Sequence, residues 1–420
     1  MMHKIDLPYG KSEQILTIPD EYNVEIINPN PAQGVPDYHS TLLHAMDHPL
    51  SVGLENYCRG KATASIAIND KTRPVPHDKI LPPLLQRIEE LGVPPDHITF
   101  IIAVGSHDPM TVDEFSKILP EPIISKYRVV SHNCDDEQGL VFLGTTSRGT
   151  PIFINKQFYS SDIRIVVGNI EPHHFQGYSG GVKSASIGLA GRRTINHNHS
   201  LLADPHSKLG EFFNNPCRQD VEEIGDVIGV HIAFNVVMNS EKSIISAFLG
   251  SPRQVMETGI KIAQQVYETK ASGMFDVVIA SVGGYPKDIN LYQSQKALAH
   301  SAQIVKEGGI VIIVAECIEG IGSHSYETFM QDITNHQQVF EKLKKEGFKV
   351  GPHKALLISR DALKANVILV SSIAPEVVRK YLLIPFPSAQ AAIDSVLRNL
   401  PKESKIAVLP KAATTIPSIQ

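Results

Sequence analysis

The sequence predicts an α/β protein of two domains, each a mostly parallel sheet flanked by helices, with the active site in the cleft between them. Three observations predict it. Short apolar runs alternate with longer amphipathic ones, which is the strand–helix rhythm of parallel sheets. At 420 residues the chain exceeds one comfortable core. Segments dense in histidine, glycine and charge follow directly after the apolar runs, where α/β sheets gather their ligands.

Taken in order, residues 63–69 (TASIAIN), 98–104 (ITFIIAV) and 163–168 (IRIVVG) read as buried strands. Between the first two, 78–91 keeps helical spacing across its Pro-Pro pair. Thr111 and Glu114 form a capping box that starts a short helix through Leu119. Residues 141–154 read as a hairpin turning at Ser147-Arg148-Gly149. Strands at 231–237 and 244–249 precede a helix from Pro252 to about Thr269. A boundary is placed at 270–275, separating a catalytic, cofactor-binding domain of residues 1–270 from a doubly wound domain of 271–401. The second domain runs through a strand at 275–282, a helix at 291–306 and the strand GGIVIIVAE. Helices at 326–346, 374–382 and 388–399 and a strand at 366–371 complete it. The tail 402–420, with strand-like 404–410, is expected to return to the first domain, because chain termini often lie together.

Composition excludes several classes of function. A net charge of −5 with both signs mixed along the chain leaves no nucleic-acid footprint. No apolar run reaches membrane-spanning length, and the polar start MMHKIDLPYGKSEQ has no signal-peptide core. Cys58, Cys134, Cys217 and Cys317 are far apart, without metal-type pairing or a disulfide framework. A reducing cytoplasm is the expected location.

The chemistry concentrates in EPHHFQGYSGGVKSASIGLAGRRTINHNH, residues 171–199. Its glycines free the backbone to approach a ligand. Gly177, Ser179, Gly180, Gly181 and Lys183 offer amides, a hydroxyl and a cation to an anionic cofactor, although the spacing is not that of a triphosphate-binding loop. His197 and His199 are candidate metal ligands, and a single histidine needs other donors. The alternative for either is a helix cap or a solvent-facing ring. His107 and the pair His173-His174 follow different strands, so two imidazoles could serve opposite faces of one substrate. One of that adjacent pair is expected to be structural. Arg73 and Lys296 suit a carboxylate, and Gln293 shares a helix face with Lys296. Asp70 could order the arginine or its loop.

Together, DKTRP at 70–74, GSHDPM at 105–110, EPHHFQGYSGGVK at 171–183, TINHNH at 194–199 and YQSQKA at 292–297 resemble the nickel-dependent lactate racemase family. The resemblance implies a nickel-pincer nucleotide, a pyridinium-3,5-bis-sulfur mononucleotide holding nickel through carbon and two sulfurs. Lys183 would carry it by a thioamide link, and His199 would ligate the nickel. His107 and His173 would be the acid/base pair, and Arg73, Tyr292, Gln293 and Lys296 the substrate contacts. Asp70, Thr72, Gly177, Ser179, Gly180 and Gly181 would bind the cofactor. The implied reaction inverts a 2-hydroxy acid: hydride leaves Cα for the pyridinium–nickel centre, and the 2-keto acid takes it back on the other face. Dedicated enzymes would make the cofactor. The family's lactate enzymes carry a tryptophan near the substrate and this chain has none, which opens the pocket to a sugar acid or dicarboxylate. The competing readings are a zinc-dependent hydrolase or lyase and a non-catalytic protein that stores the cofactor. The chain has no HExxH to support the zinc reading.

Overall fold

The computed structural model describes residues 2–58, 63–239, 241–347 and 351–419. It divides into two units, one of residues 32–266 and one of residues 1–31 with 267–420.

The 32–266 unit is built on a six-stranded sheet. Its order is Ile244–Gly250, Ile232–Met238, Ile163–Asn169, Ala64–Asn69, Ile98–Ala103, Arg128–Ser131. All neighbours are parallel except the first pair. The central strands are almost wholly buried, which is why they read as continuous apolar runs rather than alternating ones. Helix His77–Glu90 crosses between Ala64–Asn69 and Ile98–Ala103, burying Ile80, Leu81, Leu84, Leu85 and Ile88 along one stripe. That stripe keeps the helix intact through Pro82 and Pro83. The predicted capping box forms, heading a 3-10 turn Val112–Lys117. The predicted hairpin is Leu140–Thr145 against Pro151–Asn155, and Gly149 takes the left-handed conformation its turn requires, with φ +85°.

The second unit carries six parallel strands in the order Ile384–Phe386, Asn366–Val370, Val305–Val314, Phe275–Ser281, Lys405–Leu409, Asn23–Ile26. Helix Leu291–Ser301 follows the strand Phe275–Ser281. Two expectations about the termini fail here. Residues 402–420 do not return to the 32–266 unit: Lys405–Leu409 is an interior strand, and Ile416–Ile419 pairs with Glu268–Ala271. The first 31 residues also belong to this unit, although they were assigned to the domain 1–270. The reason is apolar: the hairpin Met2–Tyr9/Ser12–Pro19 buries Ile5, Leu7, Leu16 and Ile18 in one core with Val277, Ile279, Ile312 and Val408. No helix among the described residues is long and apolar enough to cross a membrane.

Candidate active site

In the 32–266 unit the strand order reverses beside Ala64–Asn69. The chain builds Ile98–Ala103 and Arg128–Ser131 on one side, then places Ile163–Asn169 on the other. Ligands bind outside the carboxyl ends of strands at such a point, and Asp70, His107 and the 171–183 loop leave the sheet there. Asp70 is 3% exposed, and its carboxylate accepts a hydrogen bond from Nδ1 of His107 at 2.8 Å. The Thr72 amide and hydroxyl also donate to it, at 3.2 and 2.7 Å. Burial opposes ionisation of this carboxyl, but the bonds from His107 and Thr72 outweigh it and hold its pKa below the ordinary value. Asp70 therefore fixes the His107 tautomer, with Nδ1–H donating and the Nε2 lone pair free. The His107 side chain is 45% exposed. Asp70 and Thr72 were expected to bind cofactor; the structure engages both in orienting His107.

The glycine loop has a different logic from the expected phosphate cradle. Gly177, Gly180 and Gly181 all have positive φ, at +69°, +94° and +57°. A Cβ on Gly177 would stand 1.8 Å from the Glu211 carbonyl oxygen, and one on Gly181 would stand 2.6 Å from Met256 Cγ. These glycines let the loop pack against its own protein. The amides of Tyr178, Ser179 and Gly181 donate to Gln176 O, Glu171 O and Asn235 Oδ1. Arg218, fully buried, donates to the carbonyls of Tyr178 and Gly180 and pairs with Glu222 at 2.6 Å. The result is a rigid ramp that ends in Lys183, which opens the short helix Lys183–Ser186. The Lys183 side chain is buried, and no hydrogen bond engages its amine among the described residues. Burial first, then the charges of Arg73 and Arg218, push its pKa well below the lysine range.

His173, His174, Phe175 and His199 form one aromatic group. The two adjacent imidazoles stack at 4.5 Å, and Phe175 meets His199 edge-on at 5.0 Å. The Gln176 backbone amide donates to His173 Nδ1 at 3.2 Å. A backbone N–H can only donate, so the neutral His173 ring carries its proton on Nε2. Burial, followed by the charges of Lys183, His174 and Arg73, keeps His173 well below the ordinary histidine value. Burial with Lys183 and Arg73 lowers His199 to about 3. The same guanidinium thus acts on Asp70, Lys183, His173 and His199. His197 belongs elsewhere. Its Nδ1 bonds Thr150 Oγ1 at 2.8 Å, and that hydroxyl donates to the buried Asp220.

Sequence reasoning missed the supports. Asn198, between the two histidines, donates to Asp220 and to the Cys217 carbonyl and accepts from Gln176, tying helix Arg192–Ser200 to helix Pro216–Ile228. The available signal was charge on a buried helix face: Arg218 and Glu222 share a stripe with Val221 and Gly225. In the other unit, Tyr292, Gln293 and Lys296 lie on helix Leu291–Ser301, capped by Asn290 through the Gln293 amide. The sequence missed Lys354 there. It lies 4.9 Å over the Tyr292 ring and donates to Gln295 Oε1 at 3.0 Å; burial and then Lys296 lower its pKa to about 7.

Among the described residues no three His, Cys, Asp or Glu side chains converge to hold a metal ion, whereas a zinc hydrolase needs at least three protein ligands. What is present suits a tethered group that brings its own donors: an unengaged neutral amine, one neutral imidazole able to ligate, and a cationic surround.

Comparison with known proteins agrees. A profile for the lactate racemase N-terminal domain matches residues 9–210, and one for the lactate racemase C-terminal domain matches 268–416. The chain belongs to the lactate racemase family. A lactate racemase of Thermoanaerobacterium thermosaccharolyticum is 29% identical, with 99% of each chain covered. One of Lactiplantibacillus plantarum is 29% identical over 97% of this chain and 98% of its own. The lactate racemase apoprotein structure from the first organism superimposes with a TM-score of 0.89 at 28% identity, covering 99% of this chain and all of its own. A Thermotoga maritima protein shares the fold, with a TM-score of 0.68 at 16% identity over 93% of this chain and all of its own. As a member of the lactate racemase family, the chain is an isomerase of the racemase type.

Proposed function

We propose that this enzyme inverts the Cα configuration of a 2-hydroxy acid, using a nickel-pincer pyridinium nucleotide carried on Lys183. The observation that carries the reading is the buried Lys183 amine, engaged by no hydrogen bond among the described residues, at the end of a loop whose His173 shares one aromatic group with His199. A neutral Lys183 is a nucleophile, the state in which it can form the thioamide link. His199, neutral at physiological pH, would ligate the nickel. When bound, the group would supply a reversible hydride acceptor for Cα.

The chain's own residues do the rest. Arg73 is proposed as one partner of the substrate carboxylate, and Gln293, Lys296 and Tyr292 as the substrate contacts supplied by the other unit. His107 Nε2 takes the hydroxyl proton, and Asp70 stabilises the imidazolium that results. The planar 2-keto acid then presents its other face, and its oxygen meets His173. The two rings are not equivalent. His107 is set as the base, while His173 presents Nε2–H, and to accept a proton there it must first release the Gln176 amide. To deliver a proton, the neutral ring must first take one from solvent at Nδ1 in place of the Gln176 amide bond, and burial then makes the resulting imidazolium a ready donor. The cofactor-synthesis enzymes that load Lys183 would act in the cytoplasm.

The test uses protein made alongside cofactor-synthesis enzymes. His107→Ala and His173→Ala should each lower inversion by about 10²–10⁴-fold, the usual worth of a positioned acid or base, with the adduct still on Lys183. Normal turnover in either variant refutes the two-histidine assignment.

A further inference from the structure

The unit of residues 1–31 and 267–420 has a strand-order reversal of its own. From Phe275–Ser281 the chain builds Val305–Val314, Asn366–Val370 and Ile384–Phe386 outward on one side. It then sets Lys405–Leu409 on the other. Because the two strands flanking the reversal are parallel neighbours, the segments leaving their carboxyl ends, Val282-Gly283-Gly284 and Pro410-Lys411, emerge side by side.

Three features of that crevice suit an anion. Gly283 and Gly284 both have positive φ, +111° and +71°, and successive residues in turns of this kind can expose amides to a negative group. The Gly284 N–H, on a buried residue, donates to no acceptor among the described residues; a buried amide of this kind calls for a partner. Lys287 runs over Gly283, its Nζ 4.0 Å from the position a Cβ would occupy, and Lys411 Cα is 3.7 Å from the same point. No ion pair engages Lys287 or Lys411 among the described residues. The adjacent carboxylate, Asp288, accepts the amides of Gly10 and Glu316 through Oδ2, while its buried Oδ1 has no hydrogen-bond partner among the described residues. Burial and then the charges of Lys411 and Lys296 lower the Lys287 pKa, so these ammonium groups repel one another until an anion joins them.

We propose that this crevice receives the distal carboxylate of a 2-hydroxy dicarboxylic acid, held by Lys287, Lys411 and the Gly284 amide. The inference rests on the 2-hydroxy-acid reading, with Lys296 on the α-carboxylate, and it narrows the substrate class to dianions.

Calorimetry on the protein without cofactor tests it, because binding needs no turnover. The probes are 2-hydroxybutanedioate, lactate and inorganic phosphate. The dicarboxylate should bind at least tenfold more tightly than lactate. Lys287→Met with Lys411→Met should remove that advantage and leave lactate binding unchanged, while Lys287→Arg with Lys411→Arg should restore it. Equal affinity for the two acids, or an advantage that survives the methionine pair, overturns the proposal. So does tight binding of phosphate without preference for the dicarboxylate, which would assign the crevice to a phosphate group. A cofactor-loaded enzyme that inverts no 2-hydroxy acid would sink the underlying reading, and it would do so independently of the calorimetry.

Discussion

Replacing Asp70 with asparagine probes how the fold prepares its base. In the native arrangement a buried carboxylate accepts from His107 Nδ1 at 2.8 Å, leaving the Nε2 lone pair free to accept a proton. Asparagine keeps the shape, removes the charge, and can turn its amide N–H₂ toward the ring. Nδ1 would then accept, and the ring proton would move to Nε2, where it blocks proton abstraction. A hydrogen bond to a charged group contributes about 1.5–3 kcal/mol. At ~1.4 kcal/mol per factor of ten, Asp70→Asn should lower kcat by roughly 10–150-fold. KM should change little, because both carboxylate oxygens of Asp70 are already engaged by Thr72 and His107. Nitrogen-15 NMR of the His107 ring, in protein without cofactor, should show the proton moving from Nδ1 to Nε2. An unchanged tautomer with unchanged kcat would refute the reasoning; an unchanged tautomer with lost activity would assign Asp70 to cofactor binding instead.

Two further outcomes follow from the loop and its lysine. Gly177→Ala combines φ +69° with a Cβ 1.8 Å from a backbone oxygen; it should cost about 3 kcal/mol and lower the melting temperature by roughly 10 °C, and a shift under 2 °C would mean the loop is not held as described. Lys183 has a folded-state pKa well below its unfolded value, so folding releases its proton, and the penalty is present at neutral pH and vanishes as pH rises toward about 10.5. Lys183→Met should therefore melt higher than the parent at pH 7, with the difference shrinking by pH 10; equal or lower stability at pH 7 would contradict a neutral buried amine.

The interior strands of both sheets were legible because parallel strands buried on two faces leave unbroken apolar runs, whereas the short edge strands Arg128–Ser131, Asn23–Ile26 and Ile384–Phe386, only partly buried, were not. The N-terminal hairpin was not. Its alternation is interrupted by Pro8 and polar residues, and the core it completes lies some hundreds of residues downstream, beginning at Val277. Helix His353–Lys364 escaped because it buries His353, Lys354, Ser359 and Asp361, which blur its apolar stripe. The expected helix 326–346 is two helices, the second started by an Asn335 side chain that accepts from the Gln338 amide. At the site, His107, His173, Lys183 and Arg73 announced themselves by type and by following strands. What each is for depended on partners distant in sequence: Asp70 on His107, Arg218 on the loop carbonyls, Thr150 and Asp220 on His197. The glycines were read as room for a ligand and proved to be room for Glu211 and Met256.

The central claim is that the buried amine of Lys183 is the anchor of the reactive group. The most direct measurement is intact and peptide mass spectrometry, with metal analysis, on protein produced alongside the cofactor-synthesis enzymes. The account predicts one covalent adduct, mapped to Lys183, accompanied by stoichiometric nickel and absent from Lys183→Met. Racemase activity in protein whose Lys183 is unmodified, or an adduct mapped to another lysine, would contradict it.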